Sequence, residues 1–369
     1  MKLLACEENI LDPPGGGELS FETLLRHICK NNDLILIGKK TSRNHKSMFQ
    51  IRSFLVLETN THMFNKFWVF KQVEHYVKKY IVEHKPDLVI TQQDYAAPTV
   101  KIASKYGIPT VVFMRNYEHF CLCANPEKNC SRKCAECYGY SRLNPYRYFV
   151  DTVFSYEKKW LKKASLVISN SYYMSEAVKE WLSLDSFVIY PFINKPNVEH
   201  HRPEYITMIS PSKHKGIEVF LEIADKMPDR SFLVVGNNPD KIDFSKYDNV
   251  KYLPWVNDPA QVYSKTKILL VPSIWPEPFG RVCIEAAFCG IPSIASNNGG
   301  LPEAVGEGGM VINDYKNPEE WINAIKLLDD EDIYHGYSDK AKTHAMDFEI
   351  SMVVSEFRDL IKNQLGLVI

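Results

Sequence analysis

The sequence predicts an α/β protein built from two doubly wound domains with parallel sheets. Three observations carry that expectation. At 369 residues the chain exceeds one comfortable core. Strand-like and helix-like segments alternate along its whole length. Most of the strand-like segments are short, near-continuous apolar runs, as in strands covered by helices on both faces. With 45% hydrophobic and 24% charged residues, the composition is that of an ordinary folded domain and excludes a disordered chain.

The elements follow in order. Strands are expected over 1–6, 33–38, 54–57, 87–91, 110–114 and 166–169, with helices near 64–84, 96–106 and 147–163. The stretch 190–197, with two prolines and two asparagines, reads as a linker. A second series then begins, with strands over 205–209, 232–236, 250–253, 268–271 and 292–295. Its helices lie near 216–226, 258–264, 280–289 and 317–328. The last segment, 336–365, is amphipathic and long. The expected domains are therefore 1–194 and 195–345, with 346–369 as a C-terminal helix packing back on the first. Ligands of such sheets bind outside the carboxyl ends of the strands, so the cleft between two facing domains is the expected site.

No apolar run is long enough to span a bilayer, and residues 1–6 read as a strand rather than a signal peptide, so a cytoplasmic chain is expected. The net charge is −1, unevenly spread. Residues 1–200 hold 27 Lys and Arg against 20 Asp and Glu, a balance of +7, and the remainder a balance of −8. The basic half suits an anionic partner, either a phosphorylated or lipid-linked acceptor or the inner face of a membrane; a solvated basic surface is the plain alternative. Nucleic acid is not expected.

The chemistry concentrates at Pro272-Ser273-Ile274-Trp275-Pro276-Glu277-Pro278-Phe279-Gly280-Arg281-Val282-Cys283-Ile284-Glu285, which leaves an apolar strand and opens a helix. Backbone amides of Phe279, Gly280 and Arg281 at the helix start form an anion site suited to a diphosphate. Carboxylates face phosphates poorly but hold vicinal hydroxyls well. Glu277 and Glu285, flanking that anion site, read as one for a sugar and one for a ribose.

This stretch resembles glycosyltransferase family 4, of the two-domain GT-B class, whose E-x7-E pattern stands here as Glu277 and Glu285. Two further stretches resemble the family in the right order. One is Ser210-Pro211-Ser212-Lys213-His214-Lys215-Gly216, where the family sets a basic residue on the diphosphate. The other is the glycine-rich Asn298-Gly299-Gly300-Leu301-Pro302-Glu303. The resemblance covers roughly 205–312 strongly and the first half weakly. It implies a GT-B fold of two facing Rossmann-like domains. It also implies retaining transfer from a nucleoside diphosphate sugar, a UDP- or GDP-sugar foremost, with no catalytic metal. Glu277 would hold donor-sugar hydroxyls and Glu285 the ribose. Ser212, Lys213, Lys215, Gly216, Phe279, Gly280 and Arg281 would line the diphosphate, with Glu277 and Lys215 closest to the chemistry. Gly16 and Gly17, in the turn after the first strand, match the family's Gly-Gly turn where acceptor and donor phosphate meet.

The chain departs from the family pattern in three places. Arg115-Asn116 stands where many members have His-Asp; Arg115 can stabilise a leaving phosphate but is no general base, and His119 follows four residues on. The arginine that many members carry before the Lys-Gly lysine is absent, leaving Lys213 or Arg281 to compensate. Third, Cys121, Cys123, Cys130, Cys134 and Cys137 fall within 17 residues. The C-x3-C-x2-C tail, with Cys121 or Cys123 as fourth ligand, can close a structural zinc site of four thiolates. Disulfides, free thiols or an iron–sulfur cluster are the alternatives. Other readings of the whole chain are an epimerase or hydrolase acting on nucleotide sugars, or a non-catalytic scaffold that binds them.

Overall fold

The computed structural model describes residues 1–9, 15–39, 50–54, 62–121, 146–199 and 202–369. These form two compact units, Met1–Phe192 with Val353–Ile369, and Ile193–Met352.

The first unit is a seven-stranded sheet. Its elements run β1 (Lys2–Cys6), α1 (Gly16–Ile28), β2 (Asp33–Lys39), β3 (Gln50–Phe54), α2 (His62–His84), β4 (Leu88–Gln92), α3 (Ala96–Lys105) and β5 (Thr110–Met114). They continue with α4 (Tyr146–Leu161), β6 (Leu166–Ser169), α5 (Tyr172–Leu182) and β7 (Phe187–Val188). The strand order is β3-β2-β1-β4-β5-β6-β7 and every pairing is parallel. Val69, Val73, Val77 and Ile81 recur every four residues along α2. They form one apolar stripe against Leu4, Cys6, Ile35, Ile37 and Val89 of the sheet.

The second unit is a six-stranded sheet. It runs β8 (Tyr205–Ile209), α6 (Ile217–Lys226), β9 (Phe232–Val235), β10 (Val250–Leu253), α7 (Ala260–Tyr263), β11 (Thr266–Val271) and α8 (Arg281–Phe288). Then come β12 (Ser293–Ser296), α9 (Leu301–Val305), β13 (Gly309–Ile312), α10 (Pro318–Leu327), α11 (Glu331–Ala345) and α12 (Ile350–Leu365). Its order, β10-β9-β8-β11-β12-β13, is again wholly parallel. Phe220, Phe232 and Trp321 are fully buried in its core. In both units the order reverses beside the first strand, between β1 and β4 and between β8 and β11. That is where open parallel sheets hold ligands.

The structure adds β13 and the helices α1, α5 and α9 to the strand and helix ranges expected from the sequence, and three further elements differ. The strand expected over 54–57 is β3 at Gln50–Phe54, and residues 55–57 lie outside the described residues. The edge strand β7 was too short to leave a pattern. The long amphipathic segment 336–365 is shared by two helices, α11 and α12. A tight turn at Met346–Phe348 ends α11, and Glu349 leaves helical geometry at ψ 128°. Phe348 explains the break, since it turns inward, fully buried, to pack 5.7 Å from Phe279 and 5.0 Å from His344. Most of α12 belongs to the first unit. Phe357 lies 5.7 Å from Phe113 and 6.1 Å from Phe192, and Arg358 donates to the His27 carbonyl at 3.3 Å. Among the described residues no helix is long and apolar enough to cross a membrane.

Candidate active site

In the second unit, the chain leaves β8 and β11 on either side of the order reversal. The turn after β8 carries Lys215 and the turn after β11 carries Glu277; their side chains form an ion pair. Lys215 also lies 4.6 Å from the centre of the Trp275 ring, a second contact that orients the ammonium. Glu277 is 8% exposed, so its carboxylate is aimed rather than solvated. Two backbone contacts bring the turns together. The His214 carbonyl accepts from the amides of Ile274 and Trp275 at 3.1 and 2.9 Å. Gly216, at φ 82°, lies so close to Pro272 that a Cβ there would sit 1.8 Å from its carbonyl oxygen.

Glu277 is held from a third side. Its carbonyl accepts from the Gly300 amide at 2.7 Å and it bridges to Gly299. A Cβ on Gly299, at φ 68°, would stand 2.2 Å from the Glu277 carbonyl oxygen. The loop 298–300 thus works as a brace for Glu277, which accounts for its glycines.

Glu285 lies one turn into α8, 16% exposed at its side chain. Both oxygens are engaged. Oε1 accepts from Arg281 at 3.3 Å, and Oε2 accepts from the Tyr263 hydroxyl at 2.8 Å. Tyr263 is 1% exposed, and burial first, then the Glu285 charge, hold its hydroxyl well above the usual tyrosine range. It stays a donor. Sequence reading missed Tyr263, which lies 22 residues away on a helix of four residues that carries no motif.

The other expected residues divide. Ser212 is buried and its hydroxyl lies 3.5 Å from His214 Nε2. Gly280, at φ 116°, precedes α8, whose first-turn amides have no acceptor within the helix. The Phe279 side chain is a core group against Phe348. Lys213 is not brought to the pair; its side chain is 66% exposed and turned to Glu218 at 3.8 Å. Cys283 is buried, and burial pushes its thiol up to about 12, which suits a core role; Cys289 is only partly buried.

In the first unit, Gly16 and Gly17 form the first turn of α1. Arg115, just beyond β5, is 6% exposed and donates to the Gly17 carbonyl at 3.2 Å. Its guanidinium lies 4.5 Å from the Phe113 ring. His119 is not placed to serve an acceptor. It is fully buried, with Nδ1 3.6 Å from Glu157 Oε1, and Lys66 stands 3.1 Å from that same oxygen and 3.0 Å from Asp94. Burial alone would lower the His119 pKa, but the Glu157 and Glu118 carboxylates outweigh it and hold the ring above the usual value. His119 therefore belongs to an internal ion cluster tying α2 and α4 to the 117–121 turn.

Of the five clustered cysteines, Cys121 is buried, while Cys123, Cys130, Cys134 and Cys137 lie outside the described residues. Among the described residues no group of three or more metal-ligating side chains comes together.

Residues 191–344 match the family described as "Glycosyl transferases group 1". The chain is 31% identical over 138 residues to spore coat protein SA of Bacillus subtilis, covering 32% of this chain and 37% of that protein. It is 39% identical over 90 residues to a D-inositol 3-phosphate glycosyltransferase of Corynebacterium jeikeium, covering 24% and 21% respectively. These matches span well under two thirds of either relative. Two solved structures share the whole fold. One is sucrose-phosphate synthase from Thermosynechococcus elongatus, with TM-score 0.74, 17% identity and 99% of both chains covered. The other is Anabaena HepE in complex with UDP and glucose, with TM-score 0.72, 18% identity, and 98% and 99% covered. Residues 191–344 are therefore a domain of the glycosyl transferases group 1 family, carried on a chain with the two-sheet fold of GT-B glycosyltransferases.

Proposed function

We propose that this protein is a retaining glycosyltransferase, moving a sugar from a nucleoside diphosphate sugar to an acceptor hydroxyl in glycan or glycoconjugate synthesis. The observation that carries the reading is the Lys215–Glu277 pair at the β8/β11 reversal, with Glu285 eight residues on and held by two donors. In this scheme Lys215 and the first amides of α8 stabilise charge that grows on the leaving diphosphate. Glu277 accepts from hydroxyls of the transferred sugar and Glu285 from the ribose, which fixes the reacting carbon in place. The acceptor proton passes to the leaving phosphate, so no protein base and no divalent cation is needed. A UDP-sugar leads a GDP-sugar as donor, because the similarly folded Anabaena protein was crystallised with UDP.

The reading extends to placement and to the cysteines. Lys71, Lys78, Lys79, Lys158 and Lys159 are exposed on α2 and α4, which pack through the stacked rings of Phe70 and Tyr156. Such a surface suits a cytoplasmic enzyme resting on an anionic inner membrane face, its acceptor lipid-linked. Four of the thiols between Cys121 and Cys137 would hold a structural zinc.

The test is a thermal-shift screen against UDP-, GDP-, ADP- and dTDP-sugars without added metal. A ligand that binds only the folded state stabilises it by about 2.7 kcal/mol at roughly a hundred times its Kd. One donor should raise the melting temperature, and Glu285→Ala should abolish the rise. No shift with any donor would overturn the proposal.

A further inference from the structure

We infer that the first unit takes its acceptor as a neutral, hydroxyl-rich ring, held by Glu7, Gln92 and Gln93 at the tips of β1 and β4. The inference rests on the glycosyl-transfer reading and names the class of acceptor.

The strands place these residues side by side. Cys6 pairs with Thr91 in register, so Glu7 and Gln92 are the next neighbours across the order reversal. Gln92 in turn pairs with Phe113, whose ring packs on Phe21 of α1, so this row lies on the face of the sheet that α1 covers. Glu7 and Gln92 are both fully buried. Yet Glu7 Oε2 and both amide atoms of Gln92 have no hydrogen-bond partner among the described residues. Buried polar groups are otherwise matched, and leaving three orphaned at one spot is costly unless a ligand completes them. Gln93 adds a second cost. It is held at φ 51°, in the left-handed region a side chain avoids, and its amide donates to Glu18 Oε1 at 2.9 Å.

The charges decide the class of ligand. A helix N-terminus favours an anion, but Glu18, 8% exposed in the first turn of α1, already answers that dipole. Arg115 is committed to the Gly17 carbonyl and to the Phe113 ring. Glu7 has Glu18, Glu8 and Glu118 near enough to repel its charge. A phosphate brought to this edge would meet carboxyl groups. Burial first, then those neighbours, push the Glu7 carboxyl up to about 8, so at neutral pH it keeps a proton to donate. The edge therefore offers a carboxyl donor, an amide that both donates and accepts, and a carboxylate acceptor. Neighbouring hydroxyls of a sugar or cyclitol match that mixture.

The experiment assays the full chain, with the donor found by thermal shift, against paired acceptors. The neutral set is glucose, galactose, mannose, myo-inositol and their octyl glycosides where these exist; the charged set is the corresponding phosphate monoesters. Neutral members should be turned over with kcat/KM at least about tenfold above their phosphate esters. Gln92→Leu should raise the acceptor KM about tenfold while raising the melting temperature, because it removes the orphaned amide. Glu7→Gln should raise the acceptor KM without changing donor affinity. A preference for the phosphate esters, turnover of no neutral member, or an unchanged acceptor KM in Gln92→Leu would overturn the inference while donor binding still stood. Absence of donor binding would instead strike the glycosyl-transfer reading.

Discussion

The Tyr263 hydroxyl donates to Glu285 Oε2 at 2.8 Å while Arg281 reaches Oε1 at 3.3 Å, so a buried phenol and a cation together fix the plane of one carboxylate. Removing the phenol oxygen should loosen Glu285 without touching the Lys215–Glu277 pair. Tyr263→Phe should raise the donor KM several-fold at nearly constant kcat, since the ribose is held equally in ground and transition states. The stability cost should be about 1 kcal/mol, as for one hydrogen bond. Steady-state kinetics against donor concentration checks this. A fall in kcat with unchanged KM would show that Glu285 acts on the reacting sugar instead.

Glu277 should behave differently. Its carboxylate pairs with Lys215 where charge develops, so Glu277→Ala should lower kcat by roughly 10²-fold or more. The side chain of Lys215 is 24% exposed, and water can solvate it when the partner is gone, so unfolding should shift only modestly. Activity within a few-fold of wild type, with normal melting, would remove Glu277 from the site.

The close approach at Gly216 predicts a folding defect rather than a chemical one. Gly216→Ala places a methyl group into the Pro272 carbonyl at a backbone φ of 82°. The turns after β8 and β11 must then separate, at about 1–3 kcal/mol for the backbone conformation alone. A lower urea midpoint with weakened donor binding is expected, and Gly107→Ala, where a Cβ meets nothing within 4 Å, serves as the control for positive φ alone.

Glu7 predicts a pH dependence of stability. Its carboxyl rises from 4.5 in the unfolded chain to about 8 in the fold, so between those values the native state binds the extra proton. The stabilisation is fully present below 4.5 and is lost as pH rises through about 8. Glu7→Gln removes the titration. Urea unfolding at about pH 5 and about pH 8 should show a smaller loss for the variant than for wild type. Equal losses would place the titration elsewhere.

The cysteine cluster predicts about one zinc per chain by elemental analysis, tightly held and needed for full thermal stability. Cys134→Ser with Cys137→Ser should lose it. A metal-free chain with full stability, or one whose thiols titrate as disulfides, would exclude a zinc role.

What could be read in advance follows from how local each feature is. The turn after β11 was legible because Glu277, Gly280, Arg281 and Glu285 lie within nine consecutive residues on one strand-to-helix turn, which ties their spacing to their geometry. Lys215 was legible because a basic residue before Gly216 follows a recognisable strand. Tyr263 and Gln92 were not: Tyr263 reaches Glu285 only through the packing of α7 against α8, Gln92 comes beside Glu7 only through sheet register, and nothing in the sequence marks Glu7 as buried and Glu8 as not. The turn that ends α11 near residue 346 leaves little local signature. It contains no Gly or Pro, and only the pull of Phe348 into the core breaks the helix. His119 misled because proximity to β5 in sequence says nothing of the Glu157 carboxylate that draws its ring inward.

The return of α12 to the first unit has a consequence for how the protein is made. Residues 193–352 form one uninterrupted run and can finish folding as soon as they leave the ribosome. The unit begun first must wait, because the sides of Phe113 and Phe192 that meet Phe357 stay uncovered until it is synthesised. At ordinary translation speeds that interval is on the order of ten seconds. During it, the nascent chain carries an apolar surface that chaperones and neighbouring nascent chains can reach.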